Sequence, residues 1–488
     1  MILPSAPPVV NAGRVGGREV HLTFDGERIV SDTGLLAVRA VDQHFRVLAD
    51  VAAQLPDPRS PRYIHHSAEA LLTQAVYQIL AGYPDLHDAD TTRDDPLFQI
   101  LAGVAPDPAQ PLASGSTLAR FQYAFTRRDA ELPPAERPVL REVDRAQTQR
   151  LKVLNRHLVA LFLRTRRAPP AALILDVDAT DDPVHGAQAL SAYHGYYGQH
   201  QYFPLLVYDG ASGFPLAAWL RPGTVHASCG AADVLAEVVA ALRAAWPGVS
   251  ITVRGDSGLA VPAVYEFCEA RGLGYVLGYA TNPVLERATA AALADVELYY
   301  AFYGHREPRV QRFEEVPGYQ AGSWPHPRRV VAKLERTPQG AQRRFVVTNR
   351  PEAAPAIYRQ WYVPRGAVPE QPIGELKNGL DGGRLSACGF RANAFRLLVH
   401  TLAYALVVLF REAAAGVPEV ATATVRTLRQ RLWKVGAVVR VGARRVWLQV
   451  AAAWPHRELW LQVWAAVHGL GAALPGAAVA PAAAVPSG

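Results

Sequence analysis

The run of short apolar segments that begins at Ala171 constrains the fold of this chain most. Three of them, LILDVDAT, YFPLLVYDG and PLAAWLRPG, have the pattern of strands joined by turns, and SITVRGDSG and GYVLGYA have the same pattern. Amphipathic helical segments at Ala231 to Trp246 and Val261 to Arg271 precede the last two strands. A meander of three strands followed by helix, strand, helix and strand predicts a mixed α/β layer.

The segments on either side have different patterns. Helical spacing of apolar residues dominates the first 150 residues, and SGSTLARF predicts a capped helix there. Aromatic and β-branched runs between turns (LYYAFYG, RVQRFEEV, RRVVAKLER and RRFVVTNR) predict a β-rich insertion at 284–345. A helical pattern returns from about Ile357 to Phe410, and the low-complexity sequence from Gly471 predicts a disordered tail.

Composition excludes several classes of protein. Half of the 488 residues are apolar, which allows a large core. Three cysteines without a CxxC pair disfavour a disulfide scaffold or a zinc finger and favour a reducing compartment. The start MILPSAPPVV lacks the features of a secretory signal, so we expect a cytoplasmic protein. The apolar stretch Phe395 to Phe410 contains Arg396 and His400 and is shorter than the roughly 20 residues that span a bilayer, which favours a buried helix and no membrane.

Acidic residues stand where strands end. Asp176 and Asp178 alternate on the first strand and therefore share one face, while Asp256 ends the fourth strand. Glu370 and Glu375 lie at the start of the late helical region. Functional groups gather at the carboxyl ends of strands in open α/β sheets, and carboxylates suit Mg²⁺ or Mn²⁺. For any one aspartate, capping of a turn is the more common role. The hypothesis of a metal site therefore depends on all of these acids together and not on a single one.

The basic residues are concentrated near the C-terminus. The whole chain has 50 basic and 43 acidic residues, a net charge of +7. The stretch 421–457 contains no acid, includes Trp433 and Trp447, and carries eight of the basic residues: Arg426, Arg429, Arg431, Lys434, Arg440, Arg444, Arg445 and Arg457. A local cluster of this kind favours a surface for a polyanion such as nucleic acid.

Three blocks of the sequence resemble the catalytic blocks of bacterial insertion-sequence DDE transposases. The first is ILDVDATDDPVHG with AYHGYYGQHQYFPLLVYDG, and the second is ITVRGDSGLAVPAVYEFCEARGLGYVLGYA. The third is YVPRGAVPEQPIGELKNGL followed by RLSACGFRANAFRLLVHTLAYAL. The resemblance is strongest to the insertion-sequence-4 superfamily, in its insertion-sequence-1380 branch, and covers about Leu173 to Tyr404.

The resemblance implies roles for single residues. The family's first aspartate precedes a threonine by two residues, which fits Asp178, with Asp176 as the alternative; the second corresponds to Asp256. The third acid would be Glu370, with Glu375 as the alternative, and these three acids would be the catalytic and metal-binding residues. The family's Tyr-Arg-Glu-Lys signature is filled by Tyr362, Arg365, Glu370 and Lys377, although four residues instead of three separate Arg365 from Glu370.

DNA-binding residues also follow from the resemblance. Tyr362, Arg365 and Lys377 would contact DNA near the cleaved bond. Trp324 in the insertion is a candidate to stack on a flipped base, and burial in the core is the equally favoured alternative. In the basic stretch, DNA contacts are expected for Arg426, Arg429, Arg431, Lys434, Arg444 and Arg445.

The resemblance further implies an RNase H-like catalytic core with a β-rich insertion, behind a helical N-terminal domain. We therefore expect a helical DNA-binding domain at 1–150, catalytic core at 151–283 and 346–415, the insertion at 284–345, a basic region at 416–470 and a tail at 471–488. The implied activity is cut-and-paste transposition with two Mg²⁺ ions, or Mn²⁺ as a substitute, through a DNA hairpin and strand transfer. The implied partners are terminal inverted repeats, target DNA and a second subunit, at the bacterial nucleoid.

Two other hypotheses remain open from the sequence. The extra residue before Glu370 is compatible with an inactive or domesticated transposase that binds DNA without cutting it. A glycosidase with two carboxylates would explain neither the basic stretch nor the spacing of Tyr362, Glu370 and Lys377.

Overall fold

The computed structural model describes residues 9–15, 17–23, 25–55, 57, 59–124, 149–195, 197–364 and 370–473. Its strands, in chain order, are β1 (Val10–Val15), β2 (Arg18–Leu22), β3 (Ile29–Val30), β4 (Ala172–Ala179), β5 (Asp182–Pro183), β6 (Ala192–His194), β7 (Gln199–Tyr202), β8 (Leu205–Asp209), β9 (Pro215–Trp219), β10 (Ser250–Gly255), β11 (Gly274–Tyr279), β12 (Val310–Val316), β13 (Arg329–Thr337), β14 (Gly340–Thr348), β15 (Ala437–Val441) and β16 (Val446–Val450).

The α-helices are α1 (Leu35–Phe45), α2 (Val47–Gln54), α3 (Ala68–Ala81), α4 (Asp88–Thr92), α5 (Pro96–Leu101), α6 (Gly115–Ala124), α7 (Gln149–Thr165), α8 (Ala231–Ala245), α9 (Pro262–Ala270), α10 (Pro283–Ala288), α11 (Ala290–Tyr303), α12 (Ala354–Ala356), α13 (Glu370–Gly374), α14 (Phe390–Ala413), α15 (Pro418–Ala421), α16 (Val425–Leu428) and α17 (Arg457–Ala473). π-Helical turns follow three of them, at Ile357–Tyr362, Glu375–Gly379 and Arg429–Trp433, and short 3₁₀ turns lie at Pro61–Tyr63 and Ser257–Leu259.

The centre of the fold is an eight-stranded mixed sheet with the order β12-β13-β14-β11-β10-β4-β8-β9. Strands β4, β8 and β9 form an antiparallel meander, and β10 and β11 run parallel to β4. Helix α8 precedes β10 and α9 precedes β11. The predicted mixed α/β layer is therefore confirmed, with each strand in the predicted place.

Helix α14 is the central helix of the core. It packs against α1, α3, α6, α7, α17 and β9. Its 24 residues are long and apolar enough to cross a membrane, but its most apolar window is wholly buried inside the protein. A helix that is apolar all round is expected in an interior of this size. The prediction of a buried helix at Phe395 to Phe410 is confirmed.

The N-terminal helices share this core. One continuous cluster of buried side chains runs from α1 and α3 through the central sheet to α14 and α17. Helix α6 covers most of the predicted capped segment, and Ser114 bonds through its hydroxyl to the Thr117 hydroxyl (3.1 Å). Before α1, the chain forms strands instead of helices, and β3 pairs with β15 of the C-terminal region. Residues 125–148, which include Arg127 and Arg128, lie outside the described residues, as does the tail beyond Ala473.

The insertion differs from its prediction in one part. Three of the four aromatic runs lie in the antiparallel strands β12, β13 and β14, which extend the central sheet from the edge of β11. The fourth, LYYAFYG, belongs to helix α11, which packs against β12 and β13. The strand prediction for it was wrong because the preceding alanines and leucine favour a helix that continues through the aromatic residues.

Candidate active site

The ends of β4 and β10 place two of the candidate acids at one edge of the sheet. These strands are parallel neighbours, with Arg254 beside Asp176 in the register. Two residues further along each strand, the chains carry Asp178 and Asp256, and both side chains are partly exposed. Side chains two residues apart on a strand point to the same face. Asp178 therefore lies on the same face as Asp176, and Asp256 on the same face as Arg254.

Short backbone contacts hold both acids in place. The Gly258 N–H donates to Oδ1 of Asp256 at 2.9 Å, which caps the 3₁₀ turn Ser257–Leu259. A side chain at Gly258 would come within 2.7 Å of the Ala227 Cβ, so the turn needs glycine. The Ala179 N–H donates to Oδ1 of Asp178 at 2.9 Å. The Asp256 carboxylate is thus fixed by the turn that follows β10, and the Asp178 carboxylate by the backbone N–H of the last residue of β4.

Asp176, the alternative first acid, has a structural partner. Its Oδ1 and Oδ2 accept from Nε and Nη2 of Arg254, both at 2.6 Å, and both side chains are almost completely buried. The Nη1 of the same arginine donates to the Trp361 carbonyl at 2.9 Å. Because both carboxylate oxygens are engaged inside the core, Asp176 is poorly placed to bind a metal ion, and Asp178 is the better candidate.

Tyr362 lies beside Asp256. The π-helical turn Ile357–Tyr362 packs on β11, where a Cβ added to Gly278 would lie 2.6 Å from the Tyr362 hydroxyl and 3.2 Å from the Ser257 nitrogen. Any residue other than glycine at 278 would therefore displace the tyrosine. π-Turns are frequent at functional sites, and this one brings a hydroxyl next to the second acid.

Lys377 lies beside the end of β4. Its ammonium group donates to the Thr180 hydroxyl at 3.2 Å, to the Asp181 carbonyl at 2.6 Å and to Oδ1 of Asp181 at 2.9 Å. Thr180 and Asp181 are two and three residues beyond Asp178. A lysine far along the chain is thus brought to the first acid.

The third acid is described only in part. Glu370 is the first residue of helix α13, but its side chain and the whole of Arg365 lie outside the described residues. Glu375, the alternative, is buried, and its Oε2 accepts from Nη2 of Arg411 (2.9 Å) and from the Val425 N–H (2.6 Å). These contacts tie Glu375 to α14 and α16, which leaves Glu370 as the better candidate.

The edge of the sheet where β4 and β10 end supplies part of the predicted metal site. Within the described residues, no group of three or more His, Cys, Asp or Glu side chains is placed to hold a metal ion. Asp178 and Asp256 nevertheless supply carboxylate oxygens at neighbouring strand ends, which is the donor type that Mg²⁺ and Mn²⁺ prefer. The residues present therefore fit two of the three expected ligands.

Trp324 does not fit the predicted stacking role. Its side chain is only 4% exposed and contacts the rings of Tyr265, Tyr279 and Tyr319. The guanidinium group of Arg328 lies 5.5 Å from the centre of the indole ring. An aromatic side chain enclosed in this way packs the insertion against α9 and β11 of the core and has no open face for a DNA base.

The basic stretch divides into structural and exposed residues. Arg429, predicted to bind DNA, donates instead to three backbone carbonyl groups, those of Ile79, Leu80 and Gly379, at 2.6–2.7 Å. Lys434 pairs with Asp32 at 3.3 Å. The other four predicted DNA contacts are exposed, namely Arg426, Arg431, Arg444 and Arg445. Arg429 is therefore a helix-capping residue, because it satisfies carbonyl groups at the end of α3.

The sequence reasoning missed Arg254 and Asp181. A signal existed for the first, because a charged residue interrupts the apolar strand SITVRGDSG two residues before its acid, as Asp176 does on the neighbouring strand. For Asp181 there was no comparable signal, since the sequence does not show that Lys377 lies beside it.

The chain belongs to the DDE transposases, because residues 12–472 match the family model described as Transposase DDE domain group 1. Enzymes of this class cut and join DNA strands with divalent metal ions, and the large mixed sheet is consistent with their RNase H-like fold. No curated protein matches the sequence.

Two solved structures show weaker likeness. A piggyBac transposase synaptic complex with hairpin DNA has 10% identity and a TM-score of 0.42, over 83% of this chain and 80% of the other. A simian T-cell lymphotropic virus intasome in complex with PP2A regulatory subunit B56 gamma has 16% identity and a TM-score of 0.16, over 44% of this chain and 95% of the other. The family assignment rests on the sequence match and not on these scores.

Proposed function

We propose that this protein is a cut-and-paste transposase of an insertion sequence, in the insertion-sequence-1380 branch. The observation that carries the proposal is the meeting of Asp178, Asp256, Tyr362 and Lys377 at one edge of the central sheet. These residues come from three separate sequence blocks, each of which resembles a catalytic block of the family.

The acids would form the catalytic centre. Asp178, Asp256 and Glu370 would hold two Mg²⁺ ions, with Mn²⁺ as a substitute. When bound, such ions lower the pKa of water and stabilise the leaving oxygen of a phosphodiester. The protein's own contribution is mainly position and charge: backbone N–H groups fix the Asp178 and Asp256 carboxylates, and the cationic side chains would hold the scissile strand.

The DNA would lie along the basic C-terminal surface. Arg426, Arg431, Arg444 and Arg445 are exposed, and none has an ion-pair partner among the described residues. Guanidinium groups in this state are available to phosphate oxygens. The N-terminal helices would recognise the terminal repeats, and a second subunit would hold the other end. Cleavage through a hairpin, strand transfer and a place at the bacterial nucleoid complete the proposal.

A cleavage assay tests the proposal directly. DNA that carries the element's terminal inverted repeats is incubated with the protein and Mg²⁺ or Mn²⁺, and parallel reactions contain EDTA. We expect wild-type protein to nick the repeat ends, and Asp178→Ala, Asp256→Ala and Glu370→Ala to lose nicking but still bind the repeats. Asp233→Asn is a matched control, because this aspartate is exposed in the first turn of α8, and it should cut like wild type. Nicking that survives EDTA or the loss of Asp256 would refute the metal-dependent mechanism.

The same assay separates the second candidate, an inactive transposase that only binds DNA. The extra residue between Arg365 and Glu370 favours it. It predicts repeat binding without nicking at any Mg²⁺ or Mn²⁺ concentration. Deletion of one residue between these two positions would then restore the family's spacing and test whether the insertion causes the defect.

A further inference from the structure

Every N–H donor of the Lys377 ammonium group has an acceptor in this structure. A lysine ammonium group has three N–H donors. Lys377 has three acceptors within hydrogen-bond distance, one for each donor: the Asp181 carbonyl at 2.6 Å, the Asp181 carboxylate at 2.9 Å and the Thr180 hydroxyl at 3.2 Å. Two of the three contacts, and the two shortest, come from Asp181.

Asp181 is itself held from the other side. The Gln199 side-chain amide donates to Oδ2 of Asp181 at 3.0 Å and to Oε1 of Gln201 at 3.1 Å. Gln199 is fixed by the pairing of β6 with β7, where it lies opposite His194. The two carboxylate oxygens therefore have different partners: Lys377 on one oxygen and Gln199 on the other.

The charge of Asp181 is set by the same contacts. Partial burial raises its pKa, but the hydrogen bond and positive charge of Lys377, with the hydrogen bond from Gln199, bring the pKa below its usual range. The neighbouring Asp182 is different: it is 2% exposed, neither oxygen has a hydrogen-bond partner in the described structure, and burial raises its pKa well above the usual range. Of these two adjacent acids, Asp181 is the one that carries the charge to hold Lys377.

We propose that Asp181 is a positioning residue that acts through Lys377. Braced by Gln199, it holds the ammonium group three residues beyond Asp178, at the edge where the scissile phosphate would bind. The two contacts to Asp181 stay when DNA binds, and the longest contact, to the Thr180 hydroxyl, is exchanged for a phosphate oxygen. This inference rests on the proposed function, since it assumes that the DNA strand is cut at this edge.

A double-mutant cycle tests the coupling. Cleavage of repeat DNA is measured under single-turnover conditions for wild type, Asp181→Asn, Lys377→Ala and the double variant. Loss of a residue that orients a reacting group typically slows a reaction about 10- to 100-fold, and we expect a loss in this range for Asp181→Asn. The double variant should be no slower than Lys377→Ala alone, because Asp181 has no effect once Lys377 is absent.

DNA binding supplies a readout that a purely structural role would not move. The log of the DNA affinity falls as the log of the salt concentration rises. Lys377→Ala should make this slope less steep by about one, because one phosphate contact is lost. Asp181→Asn should leave this slope unchanged while it slows cleavage. Glu412→Gln is the matched control, because Glu412 pairs with Arg166 at 2.8 Å with similar exposure but belongs to no part of the site; it should cut at the wild-type rate.

Two results would overturn the inference. One is a wild-type cleavage rate for folded Asp181→Asn, and the other is a double variant whose loss equals the product of the two single losses. If Asp181→Asn does not fold, Gln199→Leu removes the brace without touching Lys377, and a wild-type rate for it also overturns the inference. These outcomes differ from failure of the proposed function, in which either the wild-type protein would not nick repeat DNA at all or Asp256→Ala would still nick it.

Discussion

Removal of the Asp176 carboxylate should destabilise the whole protein, because it leaves a buried arginine without its counter-ion. Arg254 is 1% exposed and Asp176 is 0% exposed. A Cβ on the neighbouring Gly210 would lie 2.8 Å from Oδ2 of Asp176 and 3.0 Å from Nη2 of Arg254, so the pair is closely packed. The arginine would keep the Trp361 carbonyl as a partner, but its positive charge would stay buried without a counter-ion.

The magnitude follows from the contacts. Asp176→Ala removes two hydrogen bonds between charged groups, each worth about 1.5–3 kcal/mol. The resulting loss in the free energy of unfolding, about 3–6 kcal/mol, agrees with the typical cost of removing one partner from a buried ion pair, about 3–5 kcal/mol. A domain's total stability is typically about 5–15 kcal/mol, so this variant should be close to unfolding at 37 °C.

The assay is guanidinium denaturation, followed by tryptophan fluorescence and circular dichroism. Glu27→Gln is the control, since it breaks an ion pair with Arg440 in which both side chains are more than half exposed, and it should cost less than about 1 kcal/mol. The double variant Asp176→Leu with Arg254→Met should recover most of the loss, because no unpaired charge remains. A cost below about 1 kcal/mol for Asp176→Ala would refute the reasoning.

Three further predictions concern single residues. Burial raises the pKa of Asp42 to about 6 from 3.8, so this carboxyl group should stabilise the folded protein at acidic pH and lose that contribution as the pH rises through 6. The loss from this one group should be about 2 kcal/mol between pH 4 and pH 6, and Asp42→Asn should remove it in denaturation measured at each pH. Arg429→Ala should cost at least about 2 kcal/mol in the same assay, because it removes three hydrogen bonds to backbone carbonyl groups. Arg431→Ala should change stability by less than about 0.5 kcal/mol but weaken DNA binding in a salt titration. Glu375→Gln should lower stability by about 1–3 kcal/mol without abolishing cleavage by the folded protein, and a loss of cleavage in protein of normal circular dichroism would instead assign the third acid to Glu375.

The sequence predicted the central strands because their signal is local. Each strand from β4 to β11 in the core sheet is a short apolar run with turn residues at its ends, and the order of helices and strands allows few topologies. The burial of α14 followed from an apolar stretch that contains Arg396 and His400 and is shorter than a bilayer span. The same local reasoning failed for LYYAFYG, since aromatic residues are compatible with a strand or a helix and the rest of α11 decides between them.

The sequence could not distinguish residues with the same chemistry. Arg429 and Arg431 both looked like DNA contacts, but the turn Arg429–Trp433 directs the first toward backbone carbonyls of α3, and the second stays exposed. For Trp324 the sequence left stacking on DNA and burial in the core equally open, and the tyrosines that surround it in the fold favour burial. In each case, the side of the chain that faces the core depends on elements far away in the sequence.

The candidate site shows the same division most clearly. By itself, the sequence determined that acids end two strands and that Lys377 follows Glu370 by seven residues. Only the tertiary structure decided that Asp176 is bound by Arg254, which leaves Asp178 at the edge, and that Asp181 holds Lys377. The first set depends on neighbours along the chain, which periodicity reveals. The second depends on ion pairs between residues 78 and 196 positions apart, which form only when the sheet and the late helices pack together.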